Sequence, residues 1–141
     1  MTPCVVDSSV AFKWYRQPGD EDNVAQAAAI LESHLSGNVE IHVPDLLIYE
    51  LGNILRFKGD LASESAASIM RKTFSLQLEI HPINLEIAEK ALSIARKYTI
   101  TFYDASFLAL SDILDCPFIT ADKKLYTKIK SSPITKFLGS L

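Results

Sequence analysis

Apolar runs of strand length, each followed by a helical repeat, constrain this chain more than any other feature. CVV at 4–6, EIHV at 40–43, LEIHPI at 78–83 and PFIT at 117–120 have the length and composition of short buried strands. TKFLG at 135–139 is a fifth candidate. Helical spacing fills the intervals. SVAFKWY continues a helix that opens at Asp7, Ser8 and Ser9, and Val24, Ala27, Ala28, Leu31 and Leu35 recur within 21–36. Pro44 reads as a first-turn proline, with Leu47, Leu51, Ile54 and Leu55 on one side of the helix behind it. Gly59 and Asp60 turn that helix into a second one at 62–76, with Ala66, Ile69, Met70 and Phe74 inward. Leu85, Ala88, Ala91, Leu92 and Ala95 mark a helix at 84–98. TFYDASFLALSD at 101–112 starts another, and ADKKLYTKI at 121–129 is a short basic one. Alternation of this kind implies a mainly parallel sheet covered by helices on both faces. Such sheets bind ligands beyond the carboxyl ends of their strands.

A chain of 141 residues fits a single domain, 1–141, with room for a hydrophobic core. Apolar residues make up 48% and charged residues 22%, an ordinary globular balance. No apolar run approaches the roughly 20 residues of a membrane span. MTPCVVDSSV lacks the basic-then-apolar pattern of a secretory leader, so a cytoplasmic protein is expected. Cys4 and Cys116 belong to no Cys-x-x-Cys pair and read as buried reduced thiols. His34, His42 and His81 are scattered, each expected on the surface or at a strand end, and give histidine acid–base chemistry little support. The net charge of −3 argues against a general nucleic-acid coat. Residues 123–141 nevertheless hold five lysines and no acid, either a local basic surface or a solvated helix face.

The strand-edge rule turns four acids into a pattern. Asp7 follows the first strand, and Asp122 follows the PFIT strand after one alanine. If those strands are neighbours, both acids emerge on one edge of the sheet. Glu50 lies mid-helix, bordering the apolar face made by Leu46, Leu47 and Ile54. Asp104 opens its own apolar helix. Each acid also has a structural reading. Asp7, or Ser8 beside it, can cap a helix, as can Asp122 or Thr120. Thr101 and Asp104 have capping-box spacing, and Glu50 can snorkel to the surface. Capping cannot account for a mid-helix glutamate, so Glu50 is the hardest to explain that way.

Four carboxylates in one pocket stay ionised only when cations neutralise them. Oxygen donors without nearby Cys or His favour a hard ion, Mg²⁺ or Mn²⁺. Such ions suit phosphodiester hydrolysis, where they activate water and stabilise the leaving oxygen. Setting the four acids aside leaves one more basic residue than acidic ones, so a metal-loaded site would not repel a polyanion.

These motifs resemble the PIN-domain family, and within it the VapC-type toxin ribonucleases. VVDSSVAFKW resembles the first-strand motif, with its acid at Asp7 and a hydroxyl at Ser9. PDLLIYELGNIL resembles the second, with Glu50 and Asn53. TFYDASFLALS resembles the third, with Asp104, and PFITADKKL the fourth, with Thr120 and Asp122. The resemblance covers essentially the whole chain. It implies a three-layer α/β/α fold with a central, mainly parallel, five-stranded sheet. It implies a Mg²⁺- or Mn²⁺-dependent endoribonuclease, a homodimer, and inhibition by a cognate VapB-like antitoxin. Asp7 and Asp104 would ligate metal, and Glu50 and Asp122 would complete the acidic pocket directly or through water. Ser9, Asn53 and Thr120 would support them. Lys13, Lys123 and Lys124, with Arg16, Lys128 and Lys130, are candidate RNA phosphate contacts. The chain departs from the pattern at Phe107, where many relatives have tyrosine, and at Gly52, where a better helix former is usual.

The competing reading is a noncatalytic module that binds RNA or protein. It leaves four clustered charges without a purpose. A haloacid-dehalogenase-like phosphatase needs a second aspartate where Ser9 stands, and a receiver domain needs an acid pair at the N-terminus.

Overall fold

The computed structural model describes residues 1–141. Five strands form one sheet: β1 (Thr2–Val6), β2 (Val39–Pro44), β3 (Glu79–His81), β4 (Phe118–Thr120) and β5 (Thr135–Phe137). Their order is β3-β2-β1-β4-β5, and every neighbouring pair is parallel. Seven α-helices make the connections: α1 (Ser8–Ala11), α2 (Val24–Leu35), α3 (Leu46–Phe57), α4 (Ser63–Ser75), α5 (Leu85–Tyr98), α6 (Phe102–Leu114) and α7 (Lys123–Ile129). The three-layer α/β/α architecture expected from the alternation is therefore present. The connections from β1 to β2 to β3 step one way across the sheet and those from β3 to β4 to β5 step the other way, so crossovers of the usual right hand put α2 on one face and α5 to α7 on the opposite one. α6 crosses behind β1, β2 and β4 and packs along α5. No helix is long and apolar enough to cross a membrane.

The main core lies between the sheet and these helices. Val5, Val6, Ile41 and Val43 from the centre of the sheet meet Phe107, Leu108 and Leu110 of α6. Phe107 and Phe118 stack with ring centroids 6.4 Å apart. A second, smaller cluster joins Phe12, Leu51 and Leu55 to Ile69 and Met70, which makes α3 and α4 the expected helical hairpin. Cys4 and Cys116 are free and buried, and burial pushes the Cys4 thiol up to about 11.

Several local expectations are corrected. Pro44 does not open a helix. It ends β2 opposite His81, and the Asp45 N–H bonds the His81 carbonyl at 2.9 Å, so pairing with β3 holds the strand as far as the proline. Proline is tolerated there because it sits at the strand's end. SVAFKWY is split, α1 giving way to a 3-10 turn at Phe12–Tyr15. On α5 the inward line is Ile87 and Ala91, while Leu85 and Leu92 form a second, exposed apolar stripe. Ala28, Leu35 and Phe74 are likewise exposed.

Two of the three histidines expected to be scattered come together, while His34 lies apart and His81 ends β3 as a strand-end residue. His42 and His81 face each other across β2 and β3, with His42 Nδ1 2.8 Å from His81 Nε2. His42 Nε2 lies 2.6 Å from Glu40 Oε1, so a neutral His42 that donates there has Nδ1 free to accept from His81. Burial and then His42 lower the His81 pKa, partly opposed by Glu79. A depressed histidine favours the neutral folded form, so its contribution is present above the unfolded pKa of about 6.5 and is lost as pH falls through the folded value. Wild-type protein should therefore lose more thermal stability between pH 7.5 and 5.5 than the His81→Gln variant. Equal losses in paired melting curves would show that His81 does not set this pH dependence.

Candidate active site

The strand order reverses between β1 and β4, and their carboxyl ends flank the crevice. Val6 is in register with Ile119, so Asp7 emerges level with Thr120. Asp7 is only 6% exposed and both of its oxygens are bonded. Oδ1 accepts the N–H groups of Ser9 (3.1 Å) and Val10 (3.3 Å) and the Ser9 hydroxyl (2.5 Å). Oδ2 accepts the Thr120 hydroxyl at 2.6 Å. The two hydroxyls also lace β1 to the end of β4. Ser9 Oγ accepts the Ala121 N–H (2.9 Å), and Thr120 Oγ1 accepts the Asp122 N–H (3.1 Å). Each therefore donates to the carboxylate and accepts from the backbone, which fixes the position of Asp7.

Glu50 does not snorkel away. The Ser8 hydroxyl donates to its Oε1 at 3.0 Å and turns it toward the β1 end. The sequence marks Ser8 only as a possible cap, because it cannot say which hydroxyl of a Ser-Ser pair faces α3. Asp104 enters at the start of α6. Thr101 caps that helix, its Oγ1 accepting the Asp104 N–H at 3.0 Å, and the reciprocal bond from the Thr101 N–H to the carboxylate is not made. Asp122 caps α7 through the Leu125 N–H at 3.1 Å. For Asp7 and Asp122 the capping reading holds alongside any other role. Asn53 is exposed on α3, with no hydrogen bond to the site.

The electrostatics tie the acids together. Burial raises the Asp7 pKa to about 6 against the pull of Ser9, Thr120 and Val10, and Asp104 adds to the rise. Glu50 is raised by burial, relieved by Ser8, and raised again by Asp7 and Asp104. Asp104 is raised by burial and by Asp122, with Thr101 and Lys128 opposing. No lysine, arginine or histidine forms an ion pair with any of the four. No three His, Cys, Asp or Glu side chains form a ready-made metal cage. The result is an acidic crevice whose carboxylates are in no ion pair, with Lys128 acting on Asp104 from a distance.

The candidate basic residues separate into two groups. Lys13 is buried, its Nζ 2.8 Å from Glu21 and 2.7 Å from the Asp22 carbonyl. Its charge is neutralised inside the fold, so the structure does not offer it to a phosphate. Arg16 stacks over Phe12 beside Asp20 and Glu21. Lys123 and Lys124 are exposed at the start of α7, and Lys124 lines a cleft that begins at Asp104 and Asp122.

Fold and site together define an open parallel α/β domain with an acid-lined crevice at its topological switch point. The PIN domain model matches residues 4–130, and the chain belongs to the PIN domain family. Ribonuclease VapC3 of Pyrobaculum aerophilum is 29% identical over 129 residues, 88% of this chain and 92% of that protein. Ribonuclease VapC1 of Mycobacterium tuberculosis is 27% identical over 128 residues, covering 89% and 90%. Among solved structures, PAE2754 from Pyrobaculum aerophilum superposes with a TM-score of 0.72 at 20% identity, over 99% of this chain and 85% of that one. A toxin–antitoxin complex from Klebsiella pneumoniae gives 0.69 at 14% identity, over 96% and 97%.

Proposed function

We propose that this protein is a metal-dependent endoribonuclease and the toxin of a toxin–antitoxin pair with a VapB-like partner. The observation that supports the reading best is a set of three acids, Asp7, Glu50 and Asp104, that repel one another and form no ion pair. Such a set is unfavourable in an isolated domain and useful around a hard divalent ion. The names of its sequence relatives, ribonucleases VapC3 and VapC1, support the reaction class. The all-oxygen donor set fits Mg²⁺ or Mn²⁺, which take one or two carboxylates and keep several waters. Asp7 and Asp104 would hold the ion, with Glu50 and Asp122 acting directly or through water. A bound ion supplies charge neutralisation and an activated water. Ser9 and Thr120 fix the Asp7 oxygens, and Ser8 orients Glu50.

On the same reading the protein is a cytoplasmic homodimer. Exposed Tyr49, Ile83, Phe102 and Tyr103 surround an apolar cleft suited to a second copy. The function is tested by incubating a mixed RNA pool with Mg²⁺ or Mn²⁺, with EDTA, and with the Asp104→Asn variant. Cleavage should require the ion and fall roughly 100-fold or more in the variant. Cleavage that survives both treatments would overturn the proposal.

A further inference from the structure

The crevice continues beyond the acids in one direction as a cleft of about 520 Å³ between the α5–α6 corner and α7. Asp104 and Asp122 stand at one part of its wall, and Arg96, Lys124 and Lys128 at another. None of the three cations is in an ion pair, although other bases of the chain are. Lys128 makes one hydrogen bond, a long one of 3.4 Å to the Thr99 carbonyl. A bond of that length is weak and yields readily to a phosphate oxygen. Thr99 itself is held in the left-handed region at φ 55°, a conformation unfavourable for a β-branched residue. It turns the chain sharply from α5 into α6, so that Arg96 on the last turn of α5 and Asp104 on the first turn of α6 line one cleft.

The opposite flank of the α6 start is different. The cleft there is lined by Pro44, Asp45, Tyr49, His81, Phe102 and Tyr103 among others, with no lysine or arginine. Of these two clefts beside the α6 start, only the first presents unpaired positive charge to a polyanion. Lys128 also reaches Asp104 electrostatically, which places its charge within range of the acids rather than on a remote face.

We infer that Arg96, Lys124 and Lys128 form a phosphate subsite for one flank of the cleaved RNA strand, next to the acidic crevice. The inference rests on the ribonuclease reading for the identity of the strand. The cations fix the neighbouring phosphate, and the strand then crosses Asp104 and Asp7 in a single register. The sequence does not single out Arg96, because it lies in a helix outside the four acid-bearing motifs.

The test compares wild type with the Arg96→Ala/Lys128→Met double variant in two assays. The first is steady-state cleavage of a 12-nucleotide RNA with Mn²⁺. The second is anisotropy binding of the same labelled RNA across a salt series, in the Asp7→Asn background so that RNA is not consumed. The double variant should raise KM roughly five- to fifty-fold with kcat little changed, and lower the salt slope by about 1.4, or 0.7 for each lost phosphate contact on a single strand. Unchanged melting temperature confirms that the exposed positions were altered without loss of fold, and an Arg96→Lys/Lys128→Arg variant should recover most of the affinity. Equal affinity and equal salt slope in wild type and double variant would overturn the subsite, whether or not cleavage occurs. Wild type that loses affinity and slope on substitution yet never cuts RNA would overturn the ribonuclease reading and leave the subsite standing.

Discussion

Metal-free Asp7→Asn protein should unfold at a higher temperature than metal-free wild type at pH 7.5, while losing RNA cleavage. Asp7 is buried, and its pKa rises from 3.8 to about 6 in the folded state. For an acid raised in this way, the stabilising contribution is complete below the unfolded pKa and disappears as pH rises through the folded one. At pH 7.5 the wild type therefore carries a buried charge that folding opposes. Converting the shift gives up to about 3 kcal/mol, and replacing charge-assisted bonds by neutral ones removes part of that, leaving about 1–3 kcal/mol. A gain of roughly 3–8 °C in melting temperature follows for a chain of this size. Asparagine can keep the cap, since its oxygen can accept from Ser9 and Val10 while its amide donates to the Thr120 oxygen. The gap should close near pH 4, where wild-type Asp7 is protonated. Adding Mn²⁺ should narrow it from the other side by stabilising wild type alone. A variant less stable than wild type by the same amount at pH 7.5 and pH 4 would show that capping, not charge, governs the position.

The placement of the acids was legible because it depends on order. A strand followed at once by Asp7, and another followed by Ala121 and Asp122, reach the same edge whenever the two strands are parallel neighbours, as β1 and β4 are. Glu50 and Asp104 were legible because neither suits an apolar helix face. Contacts that depend on register were not. His42 and His81 are 39 residues apart, and only the pairing of β2 with the three-residue edge strand β3 brings them together. Lys13 followed the same logic. Its burial needs residues 17–22 to fold back so that Glu21 and Asp22 reach its ammonium, and nothing local to residue 13 announces that. Leu85 and Leu92 fit a helical stripe as well as Ile87 and Ala91 do, and the packing of α6 against α5 decides between them. Helical period identifies that a face is apolar; it does not say which of two apolar stripes meets the rest of the fold.

Truncating Phe107 to alanine should destabilise the protein far more than any substitution at the acids or the surface cations, and should carry activity down with it. The ring is 1% exposed and stacks against Phe118 of β4. Deleting a buried phenylalanine removes its transfer free energy and leaves a cavity, typically about 3–5 kcal/mol. A domain has about 5–15 kcal/mol to lose, so urea denaturation should show a much lower midpoint with the slope little changed. The functional consequence comes from position. Phe107 lies three residues after Asp104, less than one turn along α6, and anchors that end of the helix to the sheet. With the anchor gone, α6 can shift on β4, and the Asp104 carboxylate shifts relative to Asp7, which the Ser9 and Thr120 hydroxyls hold in place. Displacements near 1 Å at a reacting centre can cost on the order of 100-fold in rate. Cleavage per folded molecule, measured well below the variant's melting midpoint, should therefore fall by about tenfold or more. Phe107→Leu, which fills most of the space, should fall much less. A Phe107→Ala protein that is destabilised as expected, yet cleaves at the wild-type rate when folded, would show that α6 holds Asp104 through the Thr101 cap alone.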